Sequence, residues 1–309
     1  MLMKIFNDWR NLPADARGAS VALGNFDGVH IGHAEVLRAA HAARPDAPRA
    51  VLTFEPHPHT FFRPQDPPFR LTLSDERAAS LAVLGVEILY ELPFNTDFSH
   101  ITGERFIAEV LHEGLGAAHL ACGPDFAFGY RRSGDTKLLT RRAEEFGIGL
   151  TIVPPVTDVQ GPISSTRIRR LLQEGYPERA ALLLGRAHTI RGEVVHGDAR
   201  GRTIGFPTAN IQLGAHLEPA RGVYAVTARW ADGGVVKGVA NLGQRPTVGG
   251  TESRLEVHLF DFSGDLYGQE LEVALHGFIR EEQKFESFDA LKAQIARDAR
   301  EARDLLDRM

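Results

Sequence analysis

The fold of the first half of this chain is decided by the stretch Gly24-Asn25-Phe26-Asp27-Gly28-Val29-His30-Ile31-Gly32-His33. It follows a strand-like run at Ser20–Gly24 and leads into a helix predicted over residues 33–43. Open α/β sheets bind ligands at such turns, because the helix N-terminus offers unpaired N–H groups and partial positive charge that favour phosphate. Glycines in the turn let a ligand approach the backbone closely. The stretch therefore predicts a phosphate site, with Gly24, Asn25, Asp27 and Gly32 near a nucleotide.

His30 and His33 are the chemically active pair of this stretch, because residues three apart share one face of a helix. Two imidazoles at that position can donate hydrogen bonds to an α-phosphate whose charge builds up during attack. Taken alone, a His-x-x-His pair is more often two histidines whose hydrogen bonds are made within a glycine-rich turn. With the strand before it and the helix after it, the pattern resembles the His-x-Gly-His signature of the nucleotidyltransferase superfamily.

Up to about residue 184, apolar runs alternate with helical stretches. Such alternation is typical of a doubly wound parallel sheet covered on both faces. The predicted strands are Ser20–Gly24, Ala50–Phe54, Val86–Glu91, His119–Cys122 and Ile148–Val153, and the predicted helices cover residues 33–43, 74–84, 102–112, 135–146, 164–174 and 177–184.

From Gly185 onwards the pattern changes to short alternating segments, which favour a small β-barrel or sandwich. Asp232-Gly233-Gly234 is a hairpin signal between two of them. Apolar residues at intervals of three or four then predict a terminal helix that packs on the barrel. We therefore expect two domains, residues 1–184 and 185–309. The predicted strands are Thr189–His196, Gly222–Trp230, Val235–Asn241, Arg254–Phe260 and Gln269–Ile279.

Composition excludes several classes of protein. The 35 Lys and Arg against 40 Asp and Glu give a net charge of −5, which is unsuited to coating nucleic acid. Charges interrupt every apolar run before the ~18 residues that a membrane helix needs, and the N-terminus lacks the pattern of an export signal. Cys122 is the only cysteine, which excludes an intramolecular disulfide and fits a reducing compartment. We expect a cytoplasmic protein that binds neither nucleic acid nor membrane.

Other polar motifs of the first half stand at predicted strand ends or helix starts. Ser164, Ser165 and Thr166 can cap a helix and bind phosphate oxygens, and Arg167 or Arg169 can add bidentate contacts. A common N-cap followed by a basic face would look the same. Phe54, Asp125 and Phe128 follow strands at the same sheet edge. His57 and His59 lack a third ligand at a suitable spacing, which disfavours a metal site.

The second half carries its own phosphate-binding pattern. Gly197 and Gly205 belong to a polar glycine-rich loop, and Thr208 and Asn210 lie two apart, hence on one face if extended. Such oxygen ligands suit Mg²⁺ shared with nucleotide phosphates, although a turn with self-bonded polar residues is the plainer alternative. Alternation places Glu256, His258 and Phe260 on one face, where a carboxylate can accept a hydroxyl proton. No P-loop and no dinucleotide fingerprint is present in the sequence.

These motifs together resemble the prokaryotic bifunctional riboflavin kinase/FAD synthetase family, in the family's order and over nearly the whole chain. The resemblance implies that the barrel uses ATP to phosphorylate riboflavin, giving FMN. It also implies that the first domain joins AMP from a second ATP to FMN, giving FAD and pyrophosphate. Thr208 and Asn210 would hold Mg²⁺ and phosphates, and Glu256 would act as base. His30 and His33 would stabilise the transition state. The remaining implied contacts are phosphate binding by Ser164, Ser165, Thr166 and Arg167, and FMN binding by Phe54, Asp125 and Phe128.

One departure from the superfamily concerns the late phosphate segment, where related enzymes often have a lysine. Here Arg167 or Arg169 must supply that charge, and the sequence leaves the choice open. Two rival functions also stand beside the bifunctional enzyme. One is a monofunctional FMN adenylyltransferase with a passive flavin-binding barrel, and the other is a non-catalytic nucleotide- or RNA-binding regulator. Assembly into a homo-oligomer is compatible with the sequence and not decided by it.

Overall fold

The computed structural model describes residues 3–196, 206–231, 234–247 and 250–309, with backbone only at residues 245–247 and 250–252. The chain forms two compact units. The N-terminal unit comprises residues 1–66 and 72–164, and the C-terminal unit comprises residues 67–71 and 165–309. The expected domain boundary, between residues 184 and 185, stays a prediction.

The N-terminal unit is built on a parallel sheet of six strands within its described residues, in the order β1-β4-β3-β2-β5-β6. The central strands are almost fully buried, as the continuous apolar runs predict for a sheet covered on both faces. Their bounds are β1 Lys4–Phe6, β2 Ser20–Leu23, β3 Arg49–Glu55, β4 Ile88–Pro93, β5 His119–Cys122 and β6 Gly149–Ile152.

The strand order reverses between β2 and β5, because β3 and β4 lie on one side of β2 while β5 and β6 lie on the other. Ligands of open α/β sheets bind outside the carboxyl ends of the strands at such a point. The helices of this unit are α1 Ile31–Ala43, α2 Pro58–Phe62, α3 Ser74–Val83, α4 Thr96–Ser99, α5 Gly103–Arg105 with its π-helical continuation Phe106–Gly114, and α6 Thr136–Glu145.

Some elements of this unit differ from the sequence prediction. The helix predicted over residues 102–112 forms, but most of it is π-helical, with the N–H of Leu115 bonded to the carbonyl of Val110. Strand β1 and helix α2 are too short to give a periodic pattern. The same holds for the small antiparallel pair β7 Thr157–Asp158 and β8 Gly161–Pro162.

The C-terminal unit contains a barrel whose six strands, within the described ranges, close in the order β10-β13-β12-β11-β14-β9. Adjacent strands pair antiparallel, and the two strands around the Asp232-Gly233-Gly234 signal do form a hairpin pair. Residues 232 and 233 themselves lie outside the described residues. The bounds are β9 His188–Val195, β10 Ala209–Gln212, β11 Gly222–Arg229, β12 Val236–Thr247, β13 Gly250–Leu259 and β14 Glu270–Glu281.

Among the described residues of this unit there are three helices: α7 Ser165–Gln173, α8 Pro177–Leu184 and the terminal helix α9 Phe288–Asp307. Helix α9 contacts β11, β12 and β14, so the prediction that it packs on the barrel is confirmed. The predicted class, an α/β unit followed by a small barrel, is also confirmed. In the part of the chain that the structure describes, no helix combines the length and hydropathy needed to cross a membrane.

Candidate active sites

The histidine motif lies where the strand order reverses, between the end of β2 and the start of α1. His30 is the N-cap of α1, and its Nδ1 accepts the N–H of His33 at 3.3 Å. The Nδ1 of His33 accepts the N–H of His30 in return, also at 3.3 Å. Because both Nδ1 atoms are acceptors, the proton of each neutral ring sits on Nε2. The two rings stack with centroids 3.6 Å apart, so the structure brings the predicted pair together.

The turn before α1 is held in an unusual conformation. Phe26 and Val29 have φ angles of 51° and 42°, in the left-handed region that non-glycine residues rarely adopt. Asp27 is buried, and its carboxylate accepts the N–H of Thr72 at 3.1 Å, while the Thr72 hydroxyl accepts the N–H of Gly28 at 2.9 Å. Asp27 thus shapes the loop through its backbone contacts, a role that the sequence pattern did not reveal.

Gly32 has a steric reason to be glycine. A Cβ at this position would lie 3.1 Å from Cε1 and Nδ1 of the His30 ring, which is tighter than an ordinary contact. Its φ is not in the left-handed region, so the restriction comes from the neighbouring ring and not from backbone conformation. A side chain at position 32 would therefore push the His30 ring by a few tenths of an ångström.

Buried Arg77 joins the loop to the neighbouring strand ends. Its guanidinium donates to the carbonyl of Asn25 at 3.3 Å and forms ion pairs with Glu55 at 2.9 Å and Glu91 at 2.6 Å. The side chain of Arg77 is fully buried. The sequence prediction missed it, because only the fold shows that this face of α3 is covered.

The three predicted flavin contacts lie in different surroundings. Phe54 is 9% exposed and packs against Phe94 and Phe98, and Phe128 is 7% exposed and packs against Phe106. Both rings therefore belong to the core beneath the sheet edge. Asp125 is exposed on the loop that follows β5.

The late phosphate segment spans the end of one unit and the start of the next. Ser164 is the last residue of the N-terminal unit, and Ser165 begins α7 in the C-terminal unit, with Thr166 and Arg167 in its first turn. Arg169 donates its Nε–H to the carbonyl of Phe69 at 2.8 Å and lies over the Phe69 ring.

In the C-terminal unit, five strands place one row of side chains side by side. Glu256 of β13 stands opposite Asn210 of β10 on one side and opposite Asn241 of β12 on the other. The row continues from Asn241 to Val223 of β11 and from Val223 to Arg280 of β14. Directly opposite residues in antiparallel strands point to the same face of a sheet. The sequence analysis gave Asn241 no role beyond ending a predicted strand, because register between distant strands cannot be read from local pattern.

This row lines a cavity of about 420 Å³ between the outer face of the barrel and α9. One end of the cavity is polar, with Thr208, Asn210 and Glu256. Apolar side chains of the barrel and of α9 line it as well: Val223, Val239, Leu291 and Ile295. The structure thus brings Thr208, Asn210 and Glu256 together. His258 lies beside them and donates its Nδ1–H to the carbonyl of Pro207 at 2.9 Å.

A second cavity, of about 400 Å³, opens on the other side of Thr208. It is lined by Pro207, Thr208 and Phe262 and by the Asp265–Tyr267 segment. Tyr267 stacks on His196 with ring centroids 3.8 Å apart. Thr208 lines both cavities. Gly197 and Gly205, predicted to bind the nucleotide, lie outside the described residues.

Comparison with known proteins supplies the family. The FAD synthetase profile matches residues 12–167, and the riboflavin kinase profile matches residues 184–306. The bifunctional riboflavin kinase/FMN adenylyltransferase of Escherichia coli K12 is 42% identical over 296 residues, which cover 95% of each chain. The enzyme of the same name from Bacillus subtilis is 39% identical, covering 89% of this chain and 88% of that one.

A solved structure shares the fold over nearly the whole chain. It comes from Streptococcus pneumoniae, is described as a macrolide-efflux protein, and superposes with a TM-score of 0.86 at 36% identity, covering 96% of this chain and 97% of that one. The likeness supports the fold, and the function in that description belongs to that protein. From the two consecutive profiles and the near full-length relatives, we conclude that this chain belongs to the bifunctional riboflavin kinase/FMN adenylyltransferase family.

Proposed function

We propose that the chain divides the two reactions of its family between its halves, with residues 1–184 transferring AMP to FMN and residues 185–309 phosphorylating riboflavin. The protein is a bifunctional enzyme of flavin cofactor synthesis, with riboflavin kinase and FMN adenylyltransferase activities and ATP as co-substrate. The observation that carries the kinase assignment is the position of Thr208 between two cavities, next to Asn210 and Glu256.

In the kinase reaction, riboflavin occupies the cavity under α9 and ATP occupies the cavity beyond Thr208. The apolar part of the first cavity suits the flavin ring, and its polar end suits the ribityl chain. Glu256 accepts the proton of the 5′-hydroxyl, whose oxygen then bonds to the γ-phosphorus while the bond to the bridging oxygen of ADP breaks. Thr208 and Asn210 hold the transferring phosphate in line between the two cavities.

Mg²⁺ is the cation that fits this donor set. In the described part of the chain, no group of three or more His, Cys, Asp or Glu side chains is arranged to hold a metal. A cation at Thr208 and Asn210 would therefore share oxygen ligands with the nucleotide, as Mg²⁺ commonly does. When bound, it would neutralise charge on the transferring phosphate.

In the adenylyltransferase reaction, a phosphate oxygen of FMN attacks the α-phosphorus of ATP and pyrophosphate leaves. The stacked Nε2–H groups of His30 and His33 stabilise the charge that develops on the α-phosphate. The nucleotide lies along the glycine turn near Gly24, Asn25 and Asp27. Further contacts in this proposal are Ser164, Ser165, Thr166 and Arg167 on the phosphates, Asp125 on the flavin, and Phe54 and Phe128 supporting the flavin from the core.

The rival functions are less well supported. A passive barrel would have no need for the Glu256 carboxylate and the Asn210 amide in register beside Thr208, which lines both cavities. A net charge of −5 is unfavourable for an RNA-binding regulator. Because both reactions consume ATP and the single cysteine fits a reducing compartment, we place the enzyme in the cytoplasm.

A product time course tests the proposal. The purified chain is incubated with riboflavin, excess ATP and MgCl₂, and flavins are separated by HPLC. FMN should appear first and FAD after a lag, and supplied FMN should give FAD without a lag. Failure to form FMN from riboflavin would reject the kinase assignment. If the protein formed FAD from supplied FMN and ATP but not from riboflavin, it would be the monofunctional alternative.

A further inference from the structure

The terminal helix α9 meets the barrel in two different ways along its length. Its second half packs Ala302 and Leu306 against Val223 and Val239 of the barrel, and both helix residues are buried. Its first half faces the 420 Å³ cavity instead, with Leu291 and Ile295 on the wall. The position of the first half therefore depends on the contact that holds the helix at the end of the cavity.

That anchor is a carboxylate, Asp298, bound by two side chains. Asp298 is 3% exposed, and Arg280 of β14 binds it in a bidentate manner, with Nε 3.0 Å from Oδ1 and Nη2 2.7 Å from Oδ2. The side-chain amide of Gln294 donates to Oδ1 at 2.7 Å, one helical turn earlier. Two parallel hydrogen bonds fix both the distance and the rotation of the helix relative to the strand.

Arg280 also reaches the neighbouring wall of the cavity. Its Nη1 donates to the carbonyl of Glu281 at 2.9 Å, and its guanidinium lies 5.7 Å from the centre of the Phe285 ring. Phe285 lines the cavity on the segment that connects β14 to α9. One guanidinium thus connects the barrel, the connecting segment and the helix.

Stability alone is a weak reason to retain such a pair. A buried ion pair loses much solvation, and well-packed hydrophobic residues are often as stabilising. Hydrophobic contact is also less directional, so it sets the helix position less narrowly. The charged pair lies between the half of α9 that packs on the barrel and the half that faces the cavity. At this point a directional contact fixes the position of the cavity-facing half.

We propose that Arg280 and Asp298 are positioning residues that set the width of the flavin cleft, and thereby the affinity for riboflavin. This inference rests on the proposed binding of riboflavin under α9. The pair acts on the ring-binding walls and not on the reacting groups Thr208, Asn210 and Glu256. Loosening it should therefore raise the KM for riboflavin and leave kcat at saturation nearly unchanged.

The test uses the full-length chain with Asp298→Asn and Arg280→Lys, which weaken or remove the bidentate contact. The matched control is Asp261→Asn, which removes an exposed ion pair between the same helix, at Arg303, and the barrel. We expect KM for riboflavin to rise about tenfold or more in both variants, with kcat and the KM for ATP within about threefold of wild type. The control should match wild type.

Flavin fluorescence titration measures riboflavin affinity directly, and FAD formation from supplied FMN reports the integrity of the rest of the chain. If Asp298→Asn does not fold, the double variant Arg280→Met with Asp298→Leu replaces the pair by apolar contacts. It should fold and still bind riboflavin weakly. Unchanged riboflavin affinity in folded variants, or a fall in kcat with unchanged KM, would overturn the inference. Absence of riboflavin binding by the wild-type protein would instead reject the proposed function itself.

Discussion

Gly32→Ala should separate the activity of the adenylyltransferase from the stability of its fold. The new Cβ would lie 3.1 Å from two atoms of the His30 ring, so the ring must move by a few tenths of an ångström. The hydrogen bond from the N–H of His33 to Nδ1 of His30 is already 3.3 Å long. A shift of that size takes it to about 3.6 Å, beyond the length of an effective hydrogen bond.

The expected loss follows from losing the orientation of one Nε2–H donor. Removing a preorganised donor to a developing negative charge costs about 10²–10³-fold in kcat, and a partial displacement should cost less. We expect the kcat for FAD formation from FMN to fall about 10- to 100-fold. Alanine is also a better helix former than glycine by roughly 0.5–1 kcal/mol, which offsets the loss of the N-cap hydrogen bond, so thermal stability should be nearly unchanged.

The assay compares both activities and the melting temperature in one protein. FMN formation from riboflavin should be unaffected, because we propose that residues 185–309 carry out this reaction. Gly234→Ala is the control, since a Cβ there meets no atom within 4 Å and its φ is not left-handed. Unchanged FAD formation in folded Gly32→Ala would refute the role given to the position of the His30 ring.

Three further predictions concern two buried groups and one half-buried histidine. Arg77→Met leaves Glu55 and Glu91 without their buried cation. The free energy of unfolding of the N-terminal unit, measured by urea titration, should therefore fall by about 3–5 kcal/mol. A loss below about 1 kcal/mol would contradict this account. Burial raises the pKa of the Cys122 thiol to about 12, so a thiol reagent at pH 8 should label the protein only at the rate at which it unfolds, and rapid labelling of native protein would be inconsistent. Burial lowers the pKa of His276 below its ordinary 6.5, and because the unfolded chain then binds the proton first, stability should decline as the pH falls below about 6.5. His276→Gln should flatten that decline in melting curves between pH 7 and 5, and an unchanged slope would assign it to other groups.

Local pattern was sufficient for most of the fold. Buried strands such as β3 and β5 are continuous apolar runs, and α9 has apolar residues at helical intervals, so each could be predicted without knowledge of its neighbours. The extensions of β12 to Thr247 and of β13 back to Gly250 were not predicted, because these parts of the hairpin are polar and do not alternate. Their pairing comes from the opposite strand.

The candidate site residues also differ in whether the sequence alone could predict them. His30 and His33 are three residues apart, so the shared face could be predicted from spacing. The row from Asn210 through Glu256 to Asn241 depends on register between strands that are distant in sequence, which no local pattern contains. In the sequence, Arg280 and Asp298 look like ordinary surface charges. Their contact depends on the packing of α9 against β14, which the sequence pattern does not show.

The most direct test of the division of labour compares two variants of the full chain with two substrates. Glu256→Gln should reduce FMN formation from riboflavin by about 10²–10⁴-fold while FAD formation from supplied FMN stays at the wild-type rate. The double variant His30→Ala with His33→Ala should show the reverse, with FMN accumulating from riboflavin and no FAD following. If either folded variant lost both activities, or if each lost the activity assigned to the other half, the assignment of the two reactions to the two halves would be wrong.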